Sequence, residues 1–226
     1  QSIRIHLRNF TPTKAYAKEI IFGGTPSLSR QGLGSIATLV LNVAAGAYGD
    51  AAIAGMSIVT RISFFTYAVV IGLGQGFQPL CGFCYGAKLY ARVKEAFYYC
   101  IKCGTIFLAI CAVIGFIFSE PIIELFRDDA KVIEVGSMAL KWQVISFPLV
   151  ATIVLTNMLM QTIRKPIRAN IVAAARSGLF FIPLIFILPH FFGLLGVEMC
   201  QAWADFCSFA VAIPIAWSAF RDMRKE

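Results

Sequence analysis

Charge is scarce in this chain. Asp, Glu, Lys and Arg make up 14% of its 226 residues, whereas 58% are hydrophobic. Together with a mean hydropathy of +0.75, that shortage excludes an ordinary soluble domain. Histidine is scarcer still: His6 and His190 are the only two, and both fall outside the long apolar stretches. There is no H-E-x-x-H pattern, no pair of Asp residues inside an apolar stretch and no Ser/His pair there. Intramembrane hydrolysis therefore has no residues to carry it, and neither an enzyme nor catalytic residues are expected.

What is present is a series of six long apolar stretches: residues 20–48, 51–85, 96–118, 140–162, 171–188 and 197–220. Each is at or near the roughly 20 residues that a helix needs to cross a bilayer core. The bases between them alternate. Arg4, Arg8, Lys14 and Lys18, then Lys88, Arg92 and Lys94, then Arg164, Lys165 and Arg168, then Arg221, Arg224 and Lys225 put thirteen on one side. Arg127 and Lys131 are the two on the other, among Glu120, Glu124, Asp128, Asp129 and Glu134. By the positive-inside rule the basic side is cytoplasmic, with both termini there. Trp142 and Tyr48 near outer ends, and Trp217 and Tyr90 near inner ends, suit interfacial aromatic belts. The net charge of +8 thus sits at span ends, facing lipid head groups rather than forming a nucleic-acid face.

These assignments predict an all-α membrane protein. Residues 1–13 read as a cytoplasmic linker, residues 14–220 as a six-helix transmembrane bundle, and residues 221–226 as a cytoplasmic tail. No secretory signal pattern precedes the first stretch. The seven cysteines are an odd number with no pair on the outer face, which argues against a disulfide framework. Cys81/Cys84 and Cys100/Cys103 have a zinc-ribbon-like spacing, but they lie at helix ends within apolar sequence. They read as small packing residues, and no metal is expected.

The stretches are punctuated. Pro26, Pro79 and Pro183 each remove a backbone donor and are expected to bend their helices. Gly72, Gly74, Gly76, Gly82 and Gly86 on the second stretch would let helix backbones approach closely. Ionisable residues at depth are few, and each must face protein or water and find a partner. Arg30, Arg61, Arg176 and Asp205 are the buried-charge and ion-coupling candidates. Asp205, the one carboxylate well inside a stretch, reads either as a proton or cation site or as half of a structural ion pair with a neighbouring Arg. Gln31, Asn42, Gln78, Gln143, Asn157 and Gln161 are the candidates to line a cavity, with interhelical hydrogen bonding as the plainer alternative.

Several of these residues recur in a known pattern. Gly24, Thr25, Pro26 and Ser27 with Arg30 and Gln31, then Asn42 and the Tyr48–Gly49–Asp50 turn, form one part. The run from Gly72 through Gln75, Gln78 and Pro79 to Gly86, Ala87 and Lys88, leading to Arg92, is the most specific part. Asn157 with Gln161, Arg176 with Pro183, and Gly193 with Gly196 and Asp205 complete it. Together they resemble the C-terminal lobe, helices seven to twelve, of multidrug and toxic compound extrusion (MATE) transporters, nearest the bacterial multidrug exporters. The resemblance implies one lobe of a two-lobed, pseudo-symmetric secondary antiporter of the plasma (bacterial inner) membrane. Its substrates would be organic cations and amphipathic drugs, exchanged for H⁺ or Na⁺ without any cofactor. Its partners would be membrane lipid and the N-terminal lobe. Some relatives carry acidic cation ligands on the seventh and tenth helices; here the fourth stretch offers only Gln143, Asn157 and Gln161. Two other readings are a flippase for lipid-linked precursors, which would favour more fixed cations in its groove, and a non-transporting membrane scaffold, which does not need broken helices.

The base asymmetry makes the orientation testable. Single cysteines placed near Lys88, Arg164 and Arg224 on a cysteine-free background are expected to resist impermeant thiol reagents in intact cells. One near Asp128 is expected to label. The reverse pattern overturns the orientation.

Overall fold

The computed structural model describes residues 13–223, and every regular element among them is helical. In chain order these are α1 (Lys14–Gly46), α2 (Asp50–Gly86), α3 (Tyr90–Ile117), α4 (Ser119–Phe126), α5 (Ala130–Thr162), α6 (Pro166–Ala174), α7 (Phe181–Phe192) and α8 (Leu194–Met223). A π-helical segment, Ala175–Leu179, joins α6 to α7. Five spans are long and apolar enough to cross a membrane: α2, α3, α5, Pro166–Phe192 and α8. The sixth, α1, runs 33 residues, and among its described residues Gln31–Gly46 is apolar.

α5 is the spine. It packs against α2, α3 and α8, and 78% of its apolar window is buried within the lobe, against 17–33% for the other spans. A helix that is apolar on every side belongs in the interior, and the run from Val150 to Met160 (Val-Ala-Thr-Ile-Val-Leu-Thr-Asn-Met-Leu-Met) has that character. The other helices turn large side chains such as Phe64, Phe65, Phe83, Leu125 and Trp217 outward, as lipid- or lobe-facing surfaces require.

Between helices in lipid the solvent is as apolar as leucine, so close packing must supply most of the cohesion. The backbones of α2 and α5 meet at a pair of glycines: a Cβ on Gly55 would lie 3.1 Å from the Gly136 amide nitrogen. Farther along the same seam Gly74 receives the thioether of Met158. On α3, Gly104 faces Ala151, whose Cβ lies 3.2 Å from where a glycine Cβ would be. The glycine run on α2 thus divides. Gly74 packs tightly, Gly82 lightly touches Thr162, and Gly72, Gly76 and Gly86 face open space.

Several expectations need correction. α5 begins ten residues before the expected position 140, because Asp129 caps it: its carboxylate accepts from the amides of Lys131 at 3.0 Å and Val132 at 3.4 Å. The charged first turns, with Lys131 and Glu134, belong to the helix although they lie beyond the apolar stretch. The short α4 was not expected at all; its Ile123 is fully buried against Gly136. The fifth span begins at Pro166, the first residue of α6, where its missing N–H costs nothing. Its hydrogen-bond ladder changes register in the π segment, just before Pro183. Pro183 sits in the first turn of α7 and has no N–H to give the carbonyl four residues back, that of Leu179. The ladder has already shifted, with the Phe180 amide donating to the Ala175 carbonyl at 3.1 Å. α2 continues through Pro79 to Gly86. Helix α1 runs unbroken through position 26, although the Pro26 side chain lies outside the described residues. Cys81, Cys84 and Cys100 pack with Phe77, Phe97, Leu155 and Leu159 in one apolar cluster.

The glycine seam predicts a contrast. Gly55→Val is expected to lower stability by about 1–3 kcal/mol, since the α5 backbone has no rotamer with which to yield. Gly72→Ala, facing open space, is expected to be neutral or slightly stabilising, by up to about 1 kcal/mol from helix propensity. Thermal melting of the purified complete protein in detergent reads both.

Candidate functional site

Among the described residues, the one carboxylate buried without any exposure is Asp205 on α8. Such a group needs its charge compensated within the lobe. Arg176, delivered by the π segment, donates from Nε to Oδ1 at 2.7 Å. Gln201, one turn earlier on α8, donates to the same oxygen at 3.1 Å. Across the helix interface the Ser146 hydroxyl reaches Oδ2 at 3.0 Å and the Gln143 amide reaches it at 3.3 Å. Each oxygen therefore has two donors, close to the capacity of an ionised carboxylate.

Proton counting refines the network. The Ser146 hydroxyl also lies 2.8 Å from the Gln143 carbonyl oxygen, but it has one hydrogen, and the charged acceptor forms the stronger bond. The Gln143 amide has two hydrogens for three neighbours: the Tyr67 hydroxyl at 3.0 Å, Ser146 Oγ at 3.3 Å and Asp205. One goes to Tyr67 and the other is shared. The Arg176 guanidinium lies over the Tyr67 ring, 4.7 Å from its centroid, a cation–π arrangement. Phe147 meets that ring edge-on, with centroids 5.1 Å apart. Four elements (α2, α5, the π segment and α8) are thus locked around one charge.

A cavity of about 360 Å³ opens beside this network, between α1, α2 and the π segment. Tyr67, Gln143, Arg176 and Gln201 form its polar floor, and Gln31, Thr38, Thr60 and Ser63 continue the walls among Leu41, Met56, Phe64 and Phe181. A mostly apolar concavity with a few convergent polar groups is the usual form of a small-molecule site.

The family model for MatE matches residues 26–187, well over half of the chain. The chain belongs to the MatE family. It is 27% identical over 218 residues to the multidrug export protein MepA of Staphylococcus haemolyticus, covering 96% of this chain and 48% of that protein. With MepA of Staphylococcus saprophyticus it shares 29% over 213 residues, 93% of this chain and 47% of the relative. The bent form of the Vibrio cholerae MATE transporter VcmN superposes with a TM-score of 0.87 at 18% identity, covering 96% of this chain and 50% of that one. The chain therefore spans about half the length of the relatives it matches, and its fold is that of one lobe of a MATE transporter.

Within this MATE lobe the structure sorts the expected site residues. Asp205 and Arg176 form one ion pair, and Gln143 joins them. Gln31 borders the cavity from α1. Arg61 is exposed rather than buried; two residues beyond the buried Val59, it is turned about 200° around α2, away from the spine. Arg30 lies at a position whose side chain is outside the described residues. Asn157 and Gln161 do not line the cavity. Asn157 donates to the Ala169 carbonyl at 2.7 Å and accepts from Gln161 at 2.7 Å, fastening α5 to α6. Asn42 and Gln78 are half-buried away from the cavity. Sequence reasoning missed Tyr67, Ser146, Gln201 and Ser63. Two of these had a readable signal: Gln201 stands four residues before Asp205 and Ser146 three after Gln143, spacings that share a helix face.

At the basic end, Asp222 on α8 pairs with Lys165 at 2.7 Å and Arg168 at 3.0 Å. This second tie between α6 and α8 is partly exposed and is worth correspondingly less.

Removing Asp205 alone should strand Arg176 and three neutral donors. Asp205→Ala is expected to cost about 3–5 kcal/mol, whereas Asp205→Leu with Arg176→Met, which removes the whole pair, should recover most of that loss. Melting temperatures of the purified complete protein decide the point. A double variant no more stable than the single would show that the pair is not the source.

Proposed function

We propose that this chain is the C-terminal lobe of a multidrug exporter of the plasma membrane that exchanges amphipathic, mostly cationic drugs for H⁺ or Na⁺. The observation that carries this reading is the polar-floored cavity at mid-span. It opens on α1 and α2 in a lobe that matches half of proteins named for multidrug export. A cavity on the face of one lobe becomes a closed pathway only when a second lobe supplies the opposite wall, as the repeat logic of secondary transporters requires. The flippase reading gains less support, because Arg176 is the single cation among the described residues lining the cavity. The scaffold reading leaves both the cavity and the π segment without a use.

In this reading Asp205 holds the lobe together rather than carrying the coupling ion. All four of its acceptor positions are taken by protein donors, and an alternating proton or sodium would have to displace Arg176 from a direct ion pair. The coupling group then belongs to the other lobe. Dye efflux by the complete transporter in proteoliposomes, driven by imposed pH or Na⁺ gradients, tests both statements. One of the two gradients is expected to drive efflux, and the Asp205→Asn protein that remains folded is expected to keep that gradient dependence. No gradient-driven efflux would overturn the exporter reading. A stable Asp205→Asn transporter without gradient dependence would move coupling to Asp205.

A further inference from the structure

Between Leu140 and Met160, Ile145 is the one residue of α5 that is exposed. It stands on the wall of a groove of about 250 Å³ between α3 and α5. Ala112, Val113, Phe116 and Ile117 line the groove from α3, and Val144 and Ile145 from α5. All six are apolar, and the four on α3 form two i, i+4 rows of a single stripe. Val144 is pressed against Gly115, where a Cβ would lie 2.8 Å from its Cγ1. Since Val144 follows Gln143 by one residue, about 100° around the helix, the groove opens on a different side of α5 from the polar network. An apolar groove of this kind within a bilayer meets acyl chains.

The mouth of the groove carries charge. Lys141 precedes Val144 by three residues and Ile145 by four, so it stands one turn above them on the same face. Its ammonium lies 3.6 Å from the Glu120 carboxylate, in the first turn of α4, which is beyond hydrogen-bond distance. The two side chains keep 34% and 65% of their surface exposed. With three donors on one and acceptor oxygens on the other, both ends of the pair can take a further partner. Depth fits as well. α3 ends at Ile117, and with Val144 level with Gly115, Lys141 lies level with the end of that span. Beside it α4 buries Ile123 and turns Leu125 and Phe126 outward, as a helix lying in the membrane interface does.

We propose that the α3–α5 groove binds a phospholipid with a zwitterionic, ammonium-bearing headgroup, phosphatidylethanolamine in type. One acyl chain lies along Val113, Phe116 and Ile145, Lys141 takes the phosphate, and Glu120 accepts from the ammonium. A base and an acid side by side match a headgroup whose phosphate and ammonium follow one another. A choline headgroup has no N–H to give Glu120. A glycerol headgroup brings a net negative charge to a connection where Glu124, Asp128 and Asp129 outnumber Arg127. The site requires that the lobe lie in a bilayer; it does not depend on drug export.

Native mass spectrometry of the purified complete protein tests this, with dioleoyl phosphatidylethanolamine, phosphatidylcholine and phosphatidylglycerol at equal concentrations. The ethanolamine lipid is expected to bind about threefold or more tightly than either of the others, the scale of one net hydrogen bond. Glu120→Gln should bring that preference down toward one, and Glu120→Lys should turn it toward the glycerol lipid. Lys141→Ala should weaken all three, since each carries a phosphate. Ala112→Phe, which fills the groove, and Ile145→Ser, which makes its exposed wall polar, should also weaken all three. Equal binding of the three lipids, a preference for the choline or glycerol lipid, or a preference that survives Glu120→Gln would each overturn the proposal. So would binding that neither Ala112→Phe nor Ile145→Ser weakens.

Discussion

A carboxylate with no access to water has to be compensated within the lobe, and Asp205 meets that condition with donors from two other elements and its own helix. Desolvating an ion costs several kcal/mol even after relaxation, so the geometry around it is tightly constrained. Arg176 has to arrive from the π segment, Gln143 and Ser146 from one face of α5, and Tyr67 has to close the ring from α2. The register of four elements is set by one charge. The floor of the cavity is the solvent-facing side of the same network, so the lobe's stability and the chemistry it offers a ligand come from a single set of side chains.

The spine gives that network its rigidity. α5 is buried along nearly its whole length, and the glycine pair at Gly55 and Gly136 lets α2 lie against it without intervening side chains. Tyr67 is three turns along α2 from that contact and inherits its position. Surfaces that are not held in this way carry the exposed phenylalanines and leucines, which suits helices facing lipid or a second lobe.

Much of this was legible in the sequence, for physical reasons. Hydropathy locates the spans, because lipid imposes their length. Asp205 and Arg176 stood out because charge is costly at depth, and an ion pair between them was one of the alternatives that cost suggests. The misses share a cause. α4 and the first turns of α5 are helices with charged residues, invisible to a reading that equates helix with apolar run, although Asp129 before Ala130 is a cap signal. Tyr67 and Ser63 carry no charge, so nothing in the sequence separates them from other polar residues on α2. The amides were ambiguous by nature. Gln143 faces the site and Asn157 fastens α6; fourteen residues apart, they lie within about 40° of each other around α5 and about 21 Å apart along it, so the distinction is one of depth, which periodicity cannot show.

The order in which the network's members leave the ribosome has a consequence for biogenesis. Tyr67 comes first, then Gln143 and Ser146, then Arg176, with Gln201 and Asp205 last on the final helix. The donors are in the chain before the acceptor exists. A nascent lobe ending after α7 would hold a guanidinium at membrane depth with no counter-ion, its spine still open along the side that α8 will cover. Insertion of α8 then delivers the missing charge and the missing packing surface in one step, so assembly of the lobe should complete abruptly at its last helix rather than accumulate span by span.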